Sequence, residues 1–247
     1  MYKPAFSDEK LYIPSWIYED TPVKYDYVEN DCYVTSKIDY ESYRDLRRIS
    51  YFACRWYPLL KDTPTIESII LKTDIYDFRA DLKDLMNQYP DYKFVRLCGG
   101  SPKDVVHVPI FGNSDRAADA IINSSRTRNI IQNYHHFHLF IRKVVDIHNE
   151  CRCFIHRHQL RAVSVYEKTD NKAKLEESLI NFFENYQLPY NSCVAEIAWS
   201  SDVYINPFLV EINSFGIDGF ADGSLFNWDI DKEILYHSTT PVFRYPK

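Results

Sequence analysis

The chain has 247 residues, 45% of them hydrophobic and 26% charged, which excludes a disordered protein and leaves one large domain or two small lobes with room for a core. A formal net charge of −6 argues against broad nucleic-acid binding and leaves only a local basic groove open. Six cysteines, at 32, 54, 98, 151, 153 and 193, form no CxxC pair, the start has no basic-then-apolar signal architecture and no apolar run reaches the ~18 residues of a membrane span, so a cytoplasmic protein with reduced thiols is expected.

Residues 1–40 are rich in Tyr and Pro and predict irregular structure with short strands. Residues 41–57, ESYRDLRRISYFACRWY, read as a helix limited by Pro58. Ile66–Leu71 predicts a short strand, and Ile75–Tyr89 an amphipathic helix with Tyr76, Phe78, Leu82, Leu85 and Met86 on or near one stripe. Tyr92–Leu97 predicts a strand that runs into a Gly-Gly-Ser-Pro turn. Asp115–Ser124 predicts a short helix and Phe137–Val145 an apolar strand, while Cys151–Ile155 and Leu160–Tyr166 pair as a hairpin about a polar HRHQ turn. The helix Ala173–Tyr186 is followed by two acidic strands, a polar loop and a closing segment, SLFNWDIDKEIL. Strands outnumber helices from residue 92 onward and helices flank them, which is an α+β pattern.

Chemistry concentrates in the acidic strands NSCVAEIAW and FLVEINSFG. Glu211 and Asn213 share a face because strand side chains alternate, and a neighbouring strand can bring Glu196 beside them. A buried carboxylate is costly unless paired or metal-bound, and two carboxylates with an amide are all-oxygen ligands suited to magnesium or manganese. In KFVRLCGGSPKDVV the Gly-Gly turn permits close approach of a phosphate, with Arg96 and Lys103 to neutralise it, but an ordinary tight turn with solvated Arg96 and Lys103 fits as well; no Walker A spacing is present. Arg142 and Lys143 interrupt an apolar strand, as residues facing a phosphate or an acid do, or as water-facing residues of an edge strand. Arg152 alternates with Cys151 and Cys153 and has phosphate, the acidic strands, Glu150 or Glu211 as candidate partners. His135, His136, His138, His148, His156 and His158 offer no HxxxH spacing for zinc, and no GxSxG elbow supports a hydrolytic triad. Trp56 and Tyr57, before Pro58, fit either a core anchor or an exposed aromatic patch.

Taken in order, RWYPLLKDTPTIESIIL, KFVRLCGGSPKDVV, LFIRKVV, ECRCFI and FLVEINSFG with SLFNWDID resemble the cell-division-cycle protein 123 family, a divergent ATP-grasp family, over roughly residues 50–235. The resemblance implies an ATP-grasp-like fold with mixed and antiparallel sheets, an N-terminal lobe over 1–135 carrying the partner-binding segment and the nucleotide turn, and a C-terminal lobe over 136–247 carrying the metal site. It implies Mg-ATP, with Arg96, Ser101, Lys103, Asp104, Arg142, Lys143, Val144 and Arg152 on the nucleotide and Glu196, Glu211 and Asn213 on the metal; no catalytic residue is assigned. Both expected metal aspartates are glutamates here, Tyr166 and Glu167 stand where the family tends to show an arginine-aspartate pair, with Lys168 a substitute contact, and the acidic insertion and acidic tail of longer members are missing, as in a compact version carried by a virus or small genome.

The resemblance implies an ATP-dependent assembly factor that binds the gamma subunit of translation initiation factor 2 and promotes joining of the alpha subunit, with Trp56–Pro58 and the Tyr-rich N-terminus as the partner surface. The other function it implies is a ligase that phosphorylates a carboxylate and lets an amine attack the acyl phosphate, using Arg96, Arg142, Arg152, Glu196, Glu211 and Asn213. Neither nucleic acid nor a membrane is an expected partner.

Overall fold

Two residues, Arg157 and His158, have φ of 55° and 57°, the paired left-handed conformation that a two-residue hairpin loop requires. They join two strands of a computed structural model that describes residues 51–133, 136–216 and 221–247, together with the strands Leu11–Pro14 (β1), Tyr27–Glu29 (β2) and Cys32–Thr35 (β3). These three form an antiparallel sheet in the order β1-β3-β2. The part of the expected 41–57 helix before residue 51, and His135, lie outside the described residues.

Of the expected 41–57 helix, Tyr51 and Phe52 instead form a turn and bend and only the four residues Ala53–Trp56 (α1) are helical, passing into a 3-10 turn, Tyr57–Leu59, with Pro58 in its first positions. Proline fixes φ and lacks the N–H that a longer helix would use. Ser68–Asp74 (β4) follows, then Phe78–Gln88 (α2), which buries Phe78 and Leu82. Tyr76, expected on this helix's apolar stripe, is instead 89% exposed. The Asp74 carboxylate accepts the Tyr76 and Asp77 N–H groups at 2.8 and 3.0 Å, and this turn delays the helix to residue 78. Tyr92–Leu97 (β5), Ser114–Asn123 (α3) and Ser125–Asn133 (α4) come next. Asn113 caps α3 by accepting the Arg116 N–H at 2.9 Å.

The remaining strands are His136–Lys143 (β6), Asn149–His156 (β7), Gln159–Val165 (β8), Cys193–Trp199 (β9), Phe208–Ser214 (β10) and Val242–Arg244 (β11), with the helix Lys172–Asn185 (α5) after β8. They build a three-stranded sheet, β4-β6-β5, and a five-stranded sheet, β10-β9-β7-β8-β11. By compactness the chain divides into one unit of Met1–Arg55, Ile70–Gln88 and Val95–Phe140 and a second of Trp56–Ile69, Tyr89–Phe94 and Ile141–Lys247. Residues 56–69 and 89–94 thus group with the C-terminal half of the chain.

In the first unit Phe78 meets Phe137 edge-on at 5.8 Å, and Ala117, Ala118 and Ile121 of α3 are buried. In the second, one face of the five-stranded sheet carries Cys151, Cys153, Ile155 and Cys193, and α5 packs on β8, burying Leu175, Leu179 and Phe182. The other face is covered by the closing segment. Phe226 and Trp228 stand edge-on to Phe154 at 5.5 and 5.4 Å, and Phe215 meets Trp228 at 5.0 Å. Gly223 turns this segment, since a Cβ there would lie 1.9 Å from the Phe226 carbonyl oxygen. Arg244 clamps its end through a forked pair to Asp231 at 2.8 and 2.6 Å.

Trp56 has no exposed surface, so its side chain anchors the core and is removed from any partner surface, whereas Leu59 in the following turn is 55% exposed. Trp56→Ala is expected to destabilise the fold by about 3–5 kcal/mol, measured by urea denaturation. A loss within 1 kcal/mol would contradict the assignment.

Candidate functional site

The candidate site is a polar row across the five-stranded sheet. Strand register places Glu211 of β10 opposite Glu196 of β9, Glu196 opposite Arg152 of β7, Arg152 opposite Ser164 of β8, and Ser164 opposite Arg244 of β11. Directly opposed residues point to the same face, so these five side chains form a single line across the sheet, two acids followed by Arg152, Ser164 and Arg244. A register shift makes this possible. Leu209 pairs with Ile197 and Glu211 with Glu196, so Val210 is an extra residue on β10. Without that bulge Val210 would face Glu196, and Glu211 and Asn213 would turn to the opposite face.

The bulge is held from outside the strand pair. Arg142, only 4% exposed, donates from a terminal guanidinium nitrogen to the Val210 carbonyl at 2.7 Å and from Nε to Ser68 Oγ at 3.1 Å. The Ser68 N–H in turn donates to the Tyr57 hydroxyl at 2.8 Å. The Leu209 N–H donates to the Pro64 carbonyl at 2.8 Å, and the Thr65 hydroxyl donates to the Leu209 carbonyl at 2.9 Å. The YPLLKDTPTIES segment therefore runs beside β10 and fixes its distortion. Lys143 is exposed and lies 3.5 Å from Glu67, and Val144 is 42% exposed.

Glu196 is 7% exposed and has both carboxylate oxygens engaged. Arg152 Nε donates to Oε1 and the Tyr166 hydroxyl to Oε2, each at 2.7 Å. The Arg152 guanidinium also holds the Asp222 carbonyl at 2.7 Å and the Asp222 carboxylate. Burial raises the Glu196 pKa above its ordinary value; Arg152 and Tyr166 oppose the shift and Glu211 adds to it. Burial and the neighbouring Glu196 charge likewise push the Tyr166 phenol up, so it stays a proton donor. Of the partners open to Arg152 in the sequence, the structure selects Glu196, and adds Asp222. Tyr166 was legible only as a departure from the family pattern. Its alternation with Ser164, which faces Arg152, is the signal that places it beside Glu196.

Glu211 and Asn213 are half-buried on the same face. Among the described residues no group of three or more His, Cys, Asp or Glu converges to hold a metal, so a hard cation on this row needs the Asn213 amide oxygen as its third ligand. The donor set meets that requirement: three oxygen-bearing side chains on two paired strands, two of them facing carboxylates. Such like charges directly opposite are destabilising without a cation between them.

The other candidates belong to the first unit. Arg96 is 8% exposed and stacks 5.5 Å from the Phe140 ring centre. Gly99 packs on Phe52, and the Gly100 N–H closes the turn onto the Leu97 carbonyl at 3.3 Å. Ser101 is buried, and its hydroxyl has no hydrogen-bond partner among the described residues. Lys103 is exposed. Asp104 caps α4, accepting the Ser125 N–H at 2.8 Å and the Ser124 and Ser125 hydroxyls at 2.5 and 2.7 Å. Those bonds hold its pKa down at about 2.

No family model matches the chain. It is 25% identical to a putative CDC123-like protein of Acanthamoeba polyphaga mimivirus, in an alignment over 302 residues that covers 98% of this chain and 90% of the relative. Its fold matches the structure of Cdc123 from Schizosaccharomyces pombe with a TM-score of 0.63 at 15% identity, over 83% of this chain and 98% of that one. A C-terminally truncated form of the same yeast protein gives 0.62 at 15% identity, over 81% and 97%. The sheets and flanking helices thus define an α+β protein with the fold of the yeast Cdc123 structure. In sequence and in fold the chain is Cdc123-like. Among the described residues, no helix is long and apolar enough to cross a membrane.

Arg152→Ala is expected to destabilise the protein by about 3–5 kcal/mol at pH 7, because it leaves Glu196 buried without its cation. A carboxyl whose pKa is raised by folding contributes its full stability below its ordinary 4.5 and loses it as the pH rises through the raised value. The cost of Arg152→Ala is therefore expected to shrink as the pH falls toward 4.5, measured by denaturation at a series of pH values. A cost independent of pH would show that Glu196 is not the group stranded.

Proposed function

We propose that this chain is an ATP-dependent assembly factor of the Cdc123 type, which binds Mg-ATP and the gamma subunit of translation initiation factor 2. The observation that carries the reading is the extent of the likeness, which runs through nearly all of this chain and of its CDC123-like relative and is not confined to a nucleotide-binding core. Glu196, Glu211 and Asn213 are the proposed metal ligands. Arg96, Ser101, Lys103, Asp104, Arg142, Lys143, Val144 and Arg152 are the proposed nucleotide residues.

The metal supplies charge neutralisation for the phosphates. Glu211 and Asn213 present oxygens to it from one strand face, and the bulge at Val210 keeps both on that face. Glu196 is held by Arg152 and Tyr166, so its carboxylate is fixed in place before any ligand arrives. Arg142 acts through the backbone, holding the Val210 carbonyl and with it the position of Glu211. In this reading ATP organises the protein, and the product is a protein complex.

Two outcomes follow. Glu211→Ala and Asn213→Ala are each expected to weaken Mg-ATP binding at least about tenfold in calorimetry, since loss even of groups that support a metal ligand costs that much. Unchanged affinity in both would remove the metal assignment. Separately, recombinant gamma subunit is expected to form a complex with the chain that strengthens with Mg-ATP and releases little ADP. Release of ADP that depends on an added carboxylate and amine would favour a carboxylate–amine ligase instead.

A further inference from the structure

The tip of the β7–β8 hairpin gathers positive charge that no carboxylate among the described residues answers. Arg161 on β8 is only 7% exposed. Its Nε donates to the His156 carbonyl at 3.2 Å and one terminal nitrogen to the Ser238 carbonyl at 2.5 Å. A guanidinium carries five N–H donors, so five less these two leaves three without an acceptor among the described residues. A buried arginine ordinarily has a carboxylate or phosphate partner. None lies within ion-pair distance of Arg161, Arg157 or His237 among the described residues.

The neighbours add to the charge. Arg157 and His158 form the exposed tip of the hairpin, and His237 is exposed at the end of the wide helical turn Glu233–His237. His156 stacks on Phe215 at 5.3 Å, with Tyr236 edge-on at 5.2 Å, which fixes the floor beneath these groups. Burial and then the neighbouring Arg157, Arg161 and His237 hold the His156 pKa down at about 4, so both arginines bear on one imidazole. Burial and Arg157 also lower the pKa of Arg161 itself.

We propose that this hairpin tip is a docking surface for a carboxylate-rich segment of a protein partner. The open fork of Arg161 matches a carboxylate in two-point geometry, and Arg157 extends the positive surface for a second acid. A nucleic acid fits less well, because a long polyanion would also meet a chain with a net charge of −6. His156 is four residues from Arg152 along β7, about 13 Å, so the surface is separate from the polar row and stands whether or not that row binds nucleotide.

Fluorescence anisotropy of a labelled octaglutamate peptide titrated with the full chain tests this. Saturable binding that weakens with salt is expected, with a loss of about tenfold in Arg161→Gln and at least about threefold in Arg157→Gln. Arg128→Gln, which removes an exposed charge from α4, is expected to leave the affinity unchanged. Arg157 is exposed at the turn, so its variant separates lost charge from lost folding, and far-ultraviolet circular dichroism checks that separation. Absence of saturable binding overturns the proposal, as does equal weakening in Arg157→Gln and Arg128→Gln. An eight-residue oligothymidylate that binds at least as tightly as the peptide overturns the choice of a protein segment.

Discussion

Glu196 and Glu211 face each other across two hydrogen-bonded strands, and much of the second unit is arranged around that opposition. One of the two carboxylates is almost fully buried, where an unpaired charge would cost several kcal/mol. Arg152 and Tyr166 answer the cost at Glu196. A protein with only structural demands could replace this pair with apolar residues at little loss, since buried ion pairs add little net stability. Keeping two acids in register, with a strand bulge to hold them so, is what the proposed cation site requires.

The bulge itself depends on a segment far away in sequence. Residues 57–68 reach β10 through Pro64, Thr65 and Ser68, and Arg142 ties the Val210 carbonyl to the same segment. This gives the RWYPLLKDTPTIES stretch a physical role that does not require it to touch a partner: it anchors through Trp56 and sets the register of the acidic strand. On the opposite edge, the Arg244–Asp231 clamp and the Ser164–Ser224 hydrogen bond, at 2.9 Å, seat the closing segment over the same sheet face. Both flanking segments therefore define what the polar row can admit.

Much of this was legible in the sequence because it rests on short-range rules. The hairpin about residues 157–158, the helix after it and the acidic strand pair follow from periodicity and turn chemistry. The shared face of Glu211 and Asn213 follows from alternation within one strand. What sequence left open depends on partners distant along the chain. Helix α4 begins where Asp104, 21 residues earlier, accepts the Ser125 N–H, beside the Ser124 hydroxyl that accepts the Arg126 N–H at 3.2 Å; the long-range Asp104 contact has no mark in the local sequence. The bulge at Val210 has no local mark, because the groups that hold it, Arg142, Pro64 and Thr65, lie far away in sequence. Trp56 and Tyr57 read equally well as core or surface, and only burial separates them: Trp56 is enclosed, while the Tyr57 hydroxyl serves the backbone of Ser68. Arg161 gave no signal at all, since an arginine on a strand next to a turn ordinarily faces water.

A double-mutant cycle between Glu196→Gln and Glu211→Gln, measured as folding stability with and without saturating Mg-ATP, tests the central claim most directly. The account predicts repulsive coupling between the two carboxylates in the free protein and coupling of opposite sign once the cation lies between them, each well beyond the roughly 0.5 kcal/mol scatter of independent sites. Coupling that stays within that scatter in both conditions would show that the two acids do not act as one site.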